Sequence, residues 1–338
     1  MPTFLKFTTI VLLGTFLSGF LVAASQEVLA DLPRARQLLD QGKIDEGMAM
    51  LKELSLRQPE LRGLACAWGV AYYKKSNYAV AVPFLQQALQ ENPGDKEAVQ
   101  LLGLSYYFSG KTADAIPLLE RSQSWYHAAN VDALYVLGLC YVGTQNYDAA
   151  RAAFAKMFGT PPDSASSYLF TAQMLVRNNV TPVAEKCAQK AIALDPKLPL
   201  AHFLLGEIYL SGLKFPEAVN ELQKETEINP GYAGAYYRLA DAELHLEKYE
   251  DAERLLQRSI WLDPNSTGPY ILLGKVLEKK GQFDLAARML EHALEMDPNN
   301  QLPHYLLGQA YHQLGRNEDA DREFKLSEKL RQREHTKP

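Results

Sequence analysis

The residues that could do acid–base, nucleophilic or metal chemistry are few in this 338-residue chain and form no recognisable set. The seven histidines are scattered. His304 and His312 share a predicted helix, but eight residues separate them, about two turns, which is too far to share a metal unaided. No phosphate-binding loop, G-x-G-x-x-G, H-E-x-x-H, G-x-S-x-G or paired C-x-x-C motif occurs in the sequence. The sequence therefore predicts no catalytic residue, no metal site and no cofactor.

The three cysteines, Cys66, Cys140 and Cys187, fall inside three different predicted helices. An exported protein held together by disulfides usually has more cysteines and an even number of them. Burial as small apolar residues is the first interpretation, because free cysteine is among the most often buried residue types. A single disulfide between two of the three is the alternative.

The elements that position these residues follow a 34-residue period. Within residues 267–300 an aromatic residue, Leu and Gly lie on one predicted helix face, and small, large and small apolar residues lie on a second. The residues at these places, with the proline that follows, are Tyr270, Leu273, Gly274, Ala286, Leu290, Ala293 and Pro298. Spacings of three and four residues place each set on one face of an α-helix. The proline ends the second helix, because it lacks an amide hydrogen and disfavours helical geometry in the preceding residue. Each period therefore predicts a hairpin of two helices.

Nine such periods begin near residues 28, 62, 96, 131, 165, 199, 233, 267 and 301. The order Leu-Gly, Tyr, Ala, Phe, Pro at this spacing, as in Leu137-Gly138-Tyr141-Ala150-Phe154-Pro162, resembles the tetratricopeptide repeat (TPR) family. The resemblance implies an all-α fold, a right-handed α-solenoid of tandem helix-turn-helix hairpins over residues 26–333, with a disordered tail at 334–338. The third period departs from the pattern, because His127 replaces the proline and the stretch SQSWYHAAN carries one extra residue. Trp125 and Tyr126 in this stretch are either exposed anchors for a partner or packed onto the core.

Residues 1–25 differ from the rest of the chain. Lys6 precedes an uncharged, apolar run of 18 residues, Phe7 to Ala24, that ends in small residues. This composition predicts a cleaved secretory signal peptide, and an uncleaved membrane anchor is the alternative, because about 18 residues is the lower limit for a membrane span. The predicted location is therefore exported, periplasmic or secreted, with a membrane attachment only through this segment if it stays uncleaved.

In TPR proteins the second, fifth, ninth and twelfth residues of each period face a concave groove, so the resemblance implies a candidate partner-binding stripe. The stripe includes Tyr73, Leu104, Tyr107, Tyr135, Leu139, Leu169, Phe203, Tyr237 and Tyr305. Exposed aromatic residues suit recognition of a peptide or helix, because they bury a large area at little entropic cost. The alternative is that the rings stack on one another and shield the helix junctions.

These observations predict a non-enzymatic protein–protein interaction scaffold or adaptor that holds a protein segment in its groove, within an envelope or secretory assembly. The formal net charge of −5, with no long run of one sign, argues against nucleic acid as a partner. A membrane-anchored structural spacer, or a regulatory TPR subunit of an enzyme encoded separately, are the other functions that fit the sequence.

Overall fold

The computed structural model describes residues 31–125 and 131–335, which form helices joined by short turns. Residues 31–40 are helical and are named α1. The other helices are α2 (Ile44–Arg57), α3 (Leu64–Lys74), α4 (Tyr78–Glu91), α5 (Lys96–Phe108), α6 (Thr112–Gln123), α7 (Val131–Gly143), α8 (Tyr147–Phe158), α9 (Ala165–Arg177), α10 (Thr181–Leu194), α11 (Ala201–Ser211), α12 (Phe215–Ile228), α13 (Ala233–His245), α14 (Tyr249–Leu262), α15 (Thr267–Lys279), α16 (Phe283–Met296), α17 (Gln301–Gln313) and α18 (Asn317–His335). Neither described range contains a strand, and the predicted all-α fold of tandem helix hairpins is confirmed.

The chain divides into two compact units, Met1–Pro162 and Asp163–Pro338, here called the first and second units. The boundary follows the fourth predicted period. In the first unit α3 packs on α4, α5 on α6 and α7 on α8, and the second unit has five further hairpins of the same kind. From the second hairpin onward, the first helices begin within two residues of the predicted period starts. They begin at Leu64, Lys96, Val131, Ala165, Ala201, Ala233, Thr267 and Gln301.

The structure describes only part of the two chain ends, for which the sequence predicted a signal peptide or anchor and a disordered tail. The predicted signal peptide or anchor at 1–25 lies outside the described residues. At the other end, α18 continues through His335, two residues into the predicted tail at 334–338, and residues 336–338 lie outside the described part. In 31–125 and 131–335, no helix combines the length and the apolar character that crossing a membrane requires.

The two helices of a hairpin approach closely at a glycine. A Cβ added to Gly274 would lie 2.6 Å from Cγ of Leu290, and a Cβ added to Gly206 would lie 2.5 Å from Cγ of Leu222. Both leucines are fully buried. The small residue in the first helix therefore makes room for the large residue 16 positions later.

The turn inside each hairpin also recurs, because one residue per turn has left-handed backbone geometry. The φ angles of these residues lie between 58° and 79°, at Gly42, Ser76, Gly110, Gln145, Asn179, Leu213, Glu247, Gly281 and Gly315. Successive members are 34 residues apart, except that Gln145 follows Gly110 by 35, which places the predicted one-residue insertion between these two turns. Five of the nine positions hold a residue other than glycine, at which a left-handed backbone costs roughly 1–2 kcal/mol.

Neighbouring hairpins of one unit are joined by a hydrogen bond that repeats along the chain. A tyrosine hydroxyl on a first helix meets an amide or carboxylate on the preceding second helix. The pairs are Gln86 with Tyr106 at 2.8 Å, Glu120 with Tyr141, Gln189 with Tyr209 at 3.3 Å, and Glu291 with Tyr311 at 2.5 Å. The tyrosine of the repeat pattern thus serves packing between hairpins, which explains its recurrence.

Candidate functional site

The residues of the predicted stripe all lie on first helices. Tyr73 is on α3, Leu104 and Tyr107 on α5, and Tyr135 and Leu139 on α7. In the second unit, Leu169, Phe203, Tyr237 and Tyr305 lie on α9, α11, α13 and α17. Their exposure differs along the stripe, so they do not offer equal surface to a partner.

Leu104 and Leu169 are buried, with only 6% and 5% of their surface exposed, so they contribute to packing and offer almost no surface to a partner. Tyr135 and Tyr305 are exposed, at 37% and 44%. The other five stripe residues are half-buried: Tyr73, Tyr107, Leu139, Phe203 and Tyr237.

Four aromatic residues of the first unit, Tyr73, Tyr78, Tyr107 and Phe108, form one continuous cluster. The ring centroids of Tyr73 and Tyr78 are 5.4 Å apart, edge to face, and those of Tyr78 and Phe108 are 4.6 Å apart and stacked. Phe108 in turn meets Tyr107 at 5.2 Å. Edge-to-face and offset-stacked pairs at these distances are attractive beyond the area that they bury. The rings therefore hold one another in place across two hairpins.

Tyr135 joins this cluster from the next first helix. Tyr107 packs against the buried cluster that contains Val136 and Cys140 of α7, the helix that carries Tyr135. Burial raises the pKa of the Tyr107 phenol, and Cys140 and Tyr135 raise it further. The Tyr135 ring also lies 6.5 Å from that of Phe154. We call Tyr73, Tyr78, Tyr107, Phe108 and Tyr135 the tyrosine surface of the first unit. Three successive first helices and one second helix contribute to it.

Sequence reasoning missed two members of this surface. Tyr78 opens the second helix α4, and Phe108 is the last residue of α5 and is 48% exposed. Both therefore lie next to a hairpin turn, outside the stripe positions. A signal for the first was present, because an aromatic residue opens the second helix in five repeats, at Tyr78, Tyr147, Phe215, Tyr249 and Phe283.

The stripe residues of the second unit have more polar surroundings. Phe203 meets Tyr232 edge to face at 5.0 Å. The guanidinium of Arg238 lies 5.4 Å from the centroid of the Tyr237 ring and donates a hydrogen bond of 3.1 Å to Glu207. Arg238 therefore places a cation of the same unit over the ring of Tyr237.

At the end of the second unit, Tyr305 lies 5.9 Å from Phe324 beside an open cleft of about 490 Å³. The cleft is lined by Gln301, Leu302, Tyr305, Phe324, Ser327, Glu328 and Arg331. It lies on the last hairpin, where no further hairpin follows in the described residues.

The junction after α6 places Trp125 beside two cations. Arg121 lies 5.1 Å and Lys96 5.8 Å from the centroid of its ring, and the side chain is half-buried. Of the two alternatives predicted for Trp125, an exposed anchor or a packed residue, these contacts correspond to the packed one. Tyr126 lies outside the described residues.

The candidate chemical residues are held apart by the fold. In the described ranges, no group of three or more His, Cys, Asp or Glu residues is placed to hold a metal ion. Nδ1 of His304 is hydrogen-bonded to Oε2 of Glu323 at 2.6 Å. Nδ1 of His312 instead lies 3.2 Å from Oδ1 of Asn317. Cys66 and Cys140 are free and buried, and Cys187 is half-buried. Burial raises the pKa of the Cys66 thiol to about 12 and that of Cys140 to about 11, so neither is an activated nucleophile.

A buried carboxylate, Glu221, lies at the centre of a polar network in the second unit. Glu221 lies 2.6 Å from Nδ1 of His202 and 2.8 Å from the Lys224 ammonium. Burial alone would raise the pKa of Glu221, but hydrogen bonds from Lys224 and His202, together with their charges, outweigh it and lower the pKa. The network links α11 and α12, the two helices of one hairpin.

Repeated helix hairpins that pack on their neighbours define an α-solenoid repeat protein. Models of the tetratricopeptide repeat match residues 32–96 and 277–333, and a model of anaphase-promoting complex (cyclosome) subunit 3 matches 74–157 and 177–259. These matches fall in both units. The chain is a tetratricopeptide repeat protein.

Known proteins resemble parts of this chain. The human intraflagellar transport protein 88 homolog is 29% identical over 98 residues, which are 28% of this chain and 12% of that protein, so the matched region spans about an eighth of the relative. The crystal structure of YrrB, described as a TPR protein with an unusual peptide-binding site, is 24% identical and covers 53% of this chain and 93% of its own, with a TM-score of 0.47. A MamA fragment from Desulfovibrio magneticus RS-1 is 20% identical and covers 50% and 96%, with a TM-score of 0.47.

Proposed function

We propose that this chain is a non-enzymatic protein–protein interaction scaffold, which holds a segment of another protein against the first helices of its hairpins. The observation that carries the proposal is the tyrosine surface of the first unit, where rings from successive hairpins lie side by side and Phe108 and Tyr135 remain exposed. Stacked-helix repeats characteristically offer such extended binding surfaces, and tyrosine is enriched among residues that dominate binding energy.

The part of this surface that a partner would contact can be separated from the part that packs. Tyr135 has an exposed ring, so a charged residue there would disturb binding more than folding. Tyr107 also packs against the buried cluster that contains Leu104 and Cys140, so its replacement affects both. The informative single variant is therefore Tyr135→Glu. The Tyr107→Glu/Tyr135→Glu double variant should reduce binding more, but it also disturbs packing.

The test is affinity capture from the native host with the wild type, Tyr135→Glu, the double variant and Trp261→Glu. Trp261 is a matched control, because it is an aromatic residue with 69% exposure on a second helix of the other unit. Circular dichroism melting checks that each variant folds. Partners that are held by the wild type and the control but lost by Tyr135→Glu would support the proposal.

Two other outcomes would favour a different surface or a different function. An identical set of partners for all variants would show that binding uses another surface. No partner for any of them would favour the structural-spacer function, in which the chain has no ligand.

We further propose that the chain is exported and that residues 1–25 are its signal, so that the scaffold works in an envelope or secretory assembly. The support is the 18-residue apolar run after Lys6. N-terminal sequencing of the native protein, with cell fractionation, tests this. A start close after Ser25 supports cleavage, and Met1 in the membrane fraction supports the anchor. Met1 in the soluble cytosolic fraction contradicts export.

A further inference from the structure

Aromatic rings in this chain repeatedly lie beside a cation that the chain itself supplies. Such cation–π contacts recur in both units and involve different repeats. They include Lys111 over Tyr106 at 5.7 Å, Arg121 over Trp125 at 5.1 Å, Arg238 over Tyr237 at 5.4 Å, Arg258 over Trp261 at 4.3 Å and Arg316 over Tyr311 at 3.9 Å. A cation within about 6 Å of a ring centroid is attracted by the negative face of the ring.

The tyrosine surface of the first unit differs, because no Lys or Arg of residues 31–125 or 131–335 lies over any of its five rings. Cations of the neighbouring hairpins have other partners. Arg36 pairs with Glu97, Lys74 pairs with Asp40 at 3.1 Å, and Lys75 pairs with Asp45 at 2.7 Å. The π faces of this surface are therefore left without the cation that other rings in the chain have.

A carboxylate stands beside these rings. Asp132, in the first turn of α7, lies three residues before Tyr135, which places both on one face of the helix. Tyr73 packs against the buried cluster that contains the next residue, Ala133. Burial, Tyr78 and the charge of Asp132 raise the pKa of the Tyr73 phenol. Asp132 is exposed, and within the described chain it has no hydrogen bond or ion pair. A group of rings without a cation, next to an unpaired negative charge, is electrostatically complementary to a basic group.

We propose that the tyrosine surface of the first unit receives a basic side chain, arginine or lysine, from the bound protein segment, whose charge lies over the rings and pairs with Asp132. The inference rests on the proposed scaffold function and names the chemistry of its partner. Arginine suits the site best, because its planar guanidinium stacks on aromatic faces and also donates two parallel hydrogen bonds to a carboxylate. The rings supply the apolar contact for the rest of the segment.

The first experiment selects binders from a phage-displayed library of random peptides about a dozen residues long. The full chain is used as wild type, Asp132→Asn, Asp132→Lys, Tyr135→Glu and Asp114→Asn. Asp114 is the matched control, because it is also an exposed aspartate in the first turn of a first-unit helix, but on the second helix α6. We expect Arg and Lys to be enriched in peptides selected by the wild type and by Asp114→Asn. Asp132→Asn should lose this enrichment, and Asp132→Lys should favour Asp and Glu instead.

The second experiment measures the affinity of one selected peptide and of its Arg→Gln version by fluorescence anisotropy. Loss of one exposed ion pair corresponds to roughly a twofold to fivefold weaker Kd for Asp132→Asn. The Arg→Gln peptide should bind wild type and Asp132→Asn equally, because the pair is already broken. The effect on Kd should shrink at high salt.

The outcomes separate the two proposals. Peptides that are lost on Tyr135→Glu but show no basic enrichment, or basic peptides that are indifferent to Asp132→Asn, would overturn the basic-partner inference and leave the scaffold function standing. A selection that gives no peptide sensitive to Tyr135→Glu would count against binding at this surface altogether, and the inference would fail with it.

Discussion

Replacing Glu225 by alanine is expected to destabilise the second unit, because this buried carboxylate caps a neighbouring helix from inside the protein. Glu225 lies on α12 and has no exposed surface. Its Oε1 accepts a hydrogen bond of 2.9 Å from the Leu200 amide, and its Oε2 accepts one of 3.3 Å from the Phe203 amide. Both amides lie at the start of α11, which has no side-chain cap of its own. The carboxylate therefore takes the role of an N-cap residue from 22 to 25 positions away.

The size of the effect follows from these two bonds. A hydrogen bond to a charged group contributes about 1.5–3 kcal/mol, and loss of an ordinary N-cap costs about 0.5–2 kcal/mol. The two bonds share one carboxylate and one helix start, so they do not add fully, and we expect Glu225→Ala to lose about 2–4 kcal/mol. Glu225→Gln keeps one acceptor oxygen but turns a donor toward the other amide, so it should lose about 1–2 kcal/mol.

Urea unfolding followed by circular dichroism gives the stability of each variant. Because repeat arrays can unfold in steps, amide hydrogen exchange at the first turn of α11 supplies the local measurement. Glu227→Ala is the matched control, since Glu227 is an exposed glutamate on the same helix. If Glu225→Ala costs no more than the control, or if exchange at the start of α11 does not accelerate, the cross-helix cap does not stabilise this hairpin.

Three further outcomes are expected. Leu213→Gly should raise the free energy of unfolding by up to about 1 kcal/mol in urea titrations, because Leu213 is 73% exposed and has a φ of 58°; a decrease would contradict the turn argument. Cys66 and Cys140 should resist iodoacetamide in the native state at pH 8 and react in urea, as read by intact mass, since their thiols are buried and have raised pKa values. The lowered pKa of Glu221 contributes stability above the unfolded pKa of about 4.3 that is lost as pH falls through the folded value, so Lys224→Met should reduce stability more at pH 7 than at pH 3. Equal losses at both pH values would refute that assignment.

The hairpins were predictable from the sequence because their determinants are local and periodic. Spacings of three and four residues set each helix face, and a proline or a turn residue ends each helix. For this reason Lys96, Val131, Ala165, Ala233, Thr267 and Gln301 begin helices at the predicted positions. The glycine and the large residue were located by the same period, but their contact across the hairpin was found only in the structure.

The candidate site was predictable only in part. The stripe positions fall on first helices as expected, yet Leu104 and Leu169 are buried. Helical periodicity gives the direction of a side chain, but a neighbouring hairpin decides how much of that side chain stays exposed.

The sequence by itself determined the repeat, the hairpin and the set of first helices that could face a partner, because these depend on spacing within about one period. Only the tertiary structure brought Tyr78 and Phe108 from two turns into contact and packed Tyr73 against the cluster that contains Ala133 and Val136 of α7. Only the tertiary structure, likewise, brought Glu225 to the start of α11. Such contacts depend on how one hairpin or helix packs against another, and packing follows from side-chain shape over the whole junction, which no single period contains.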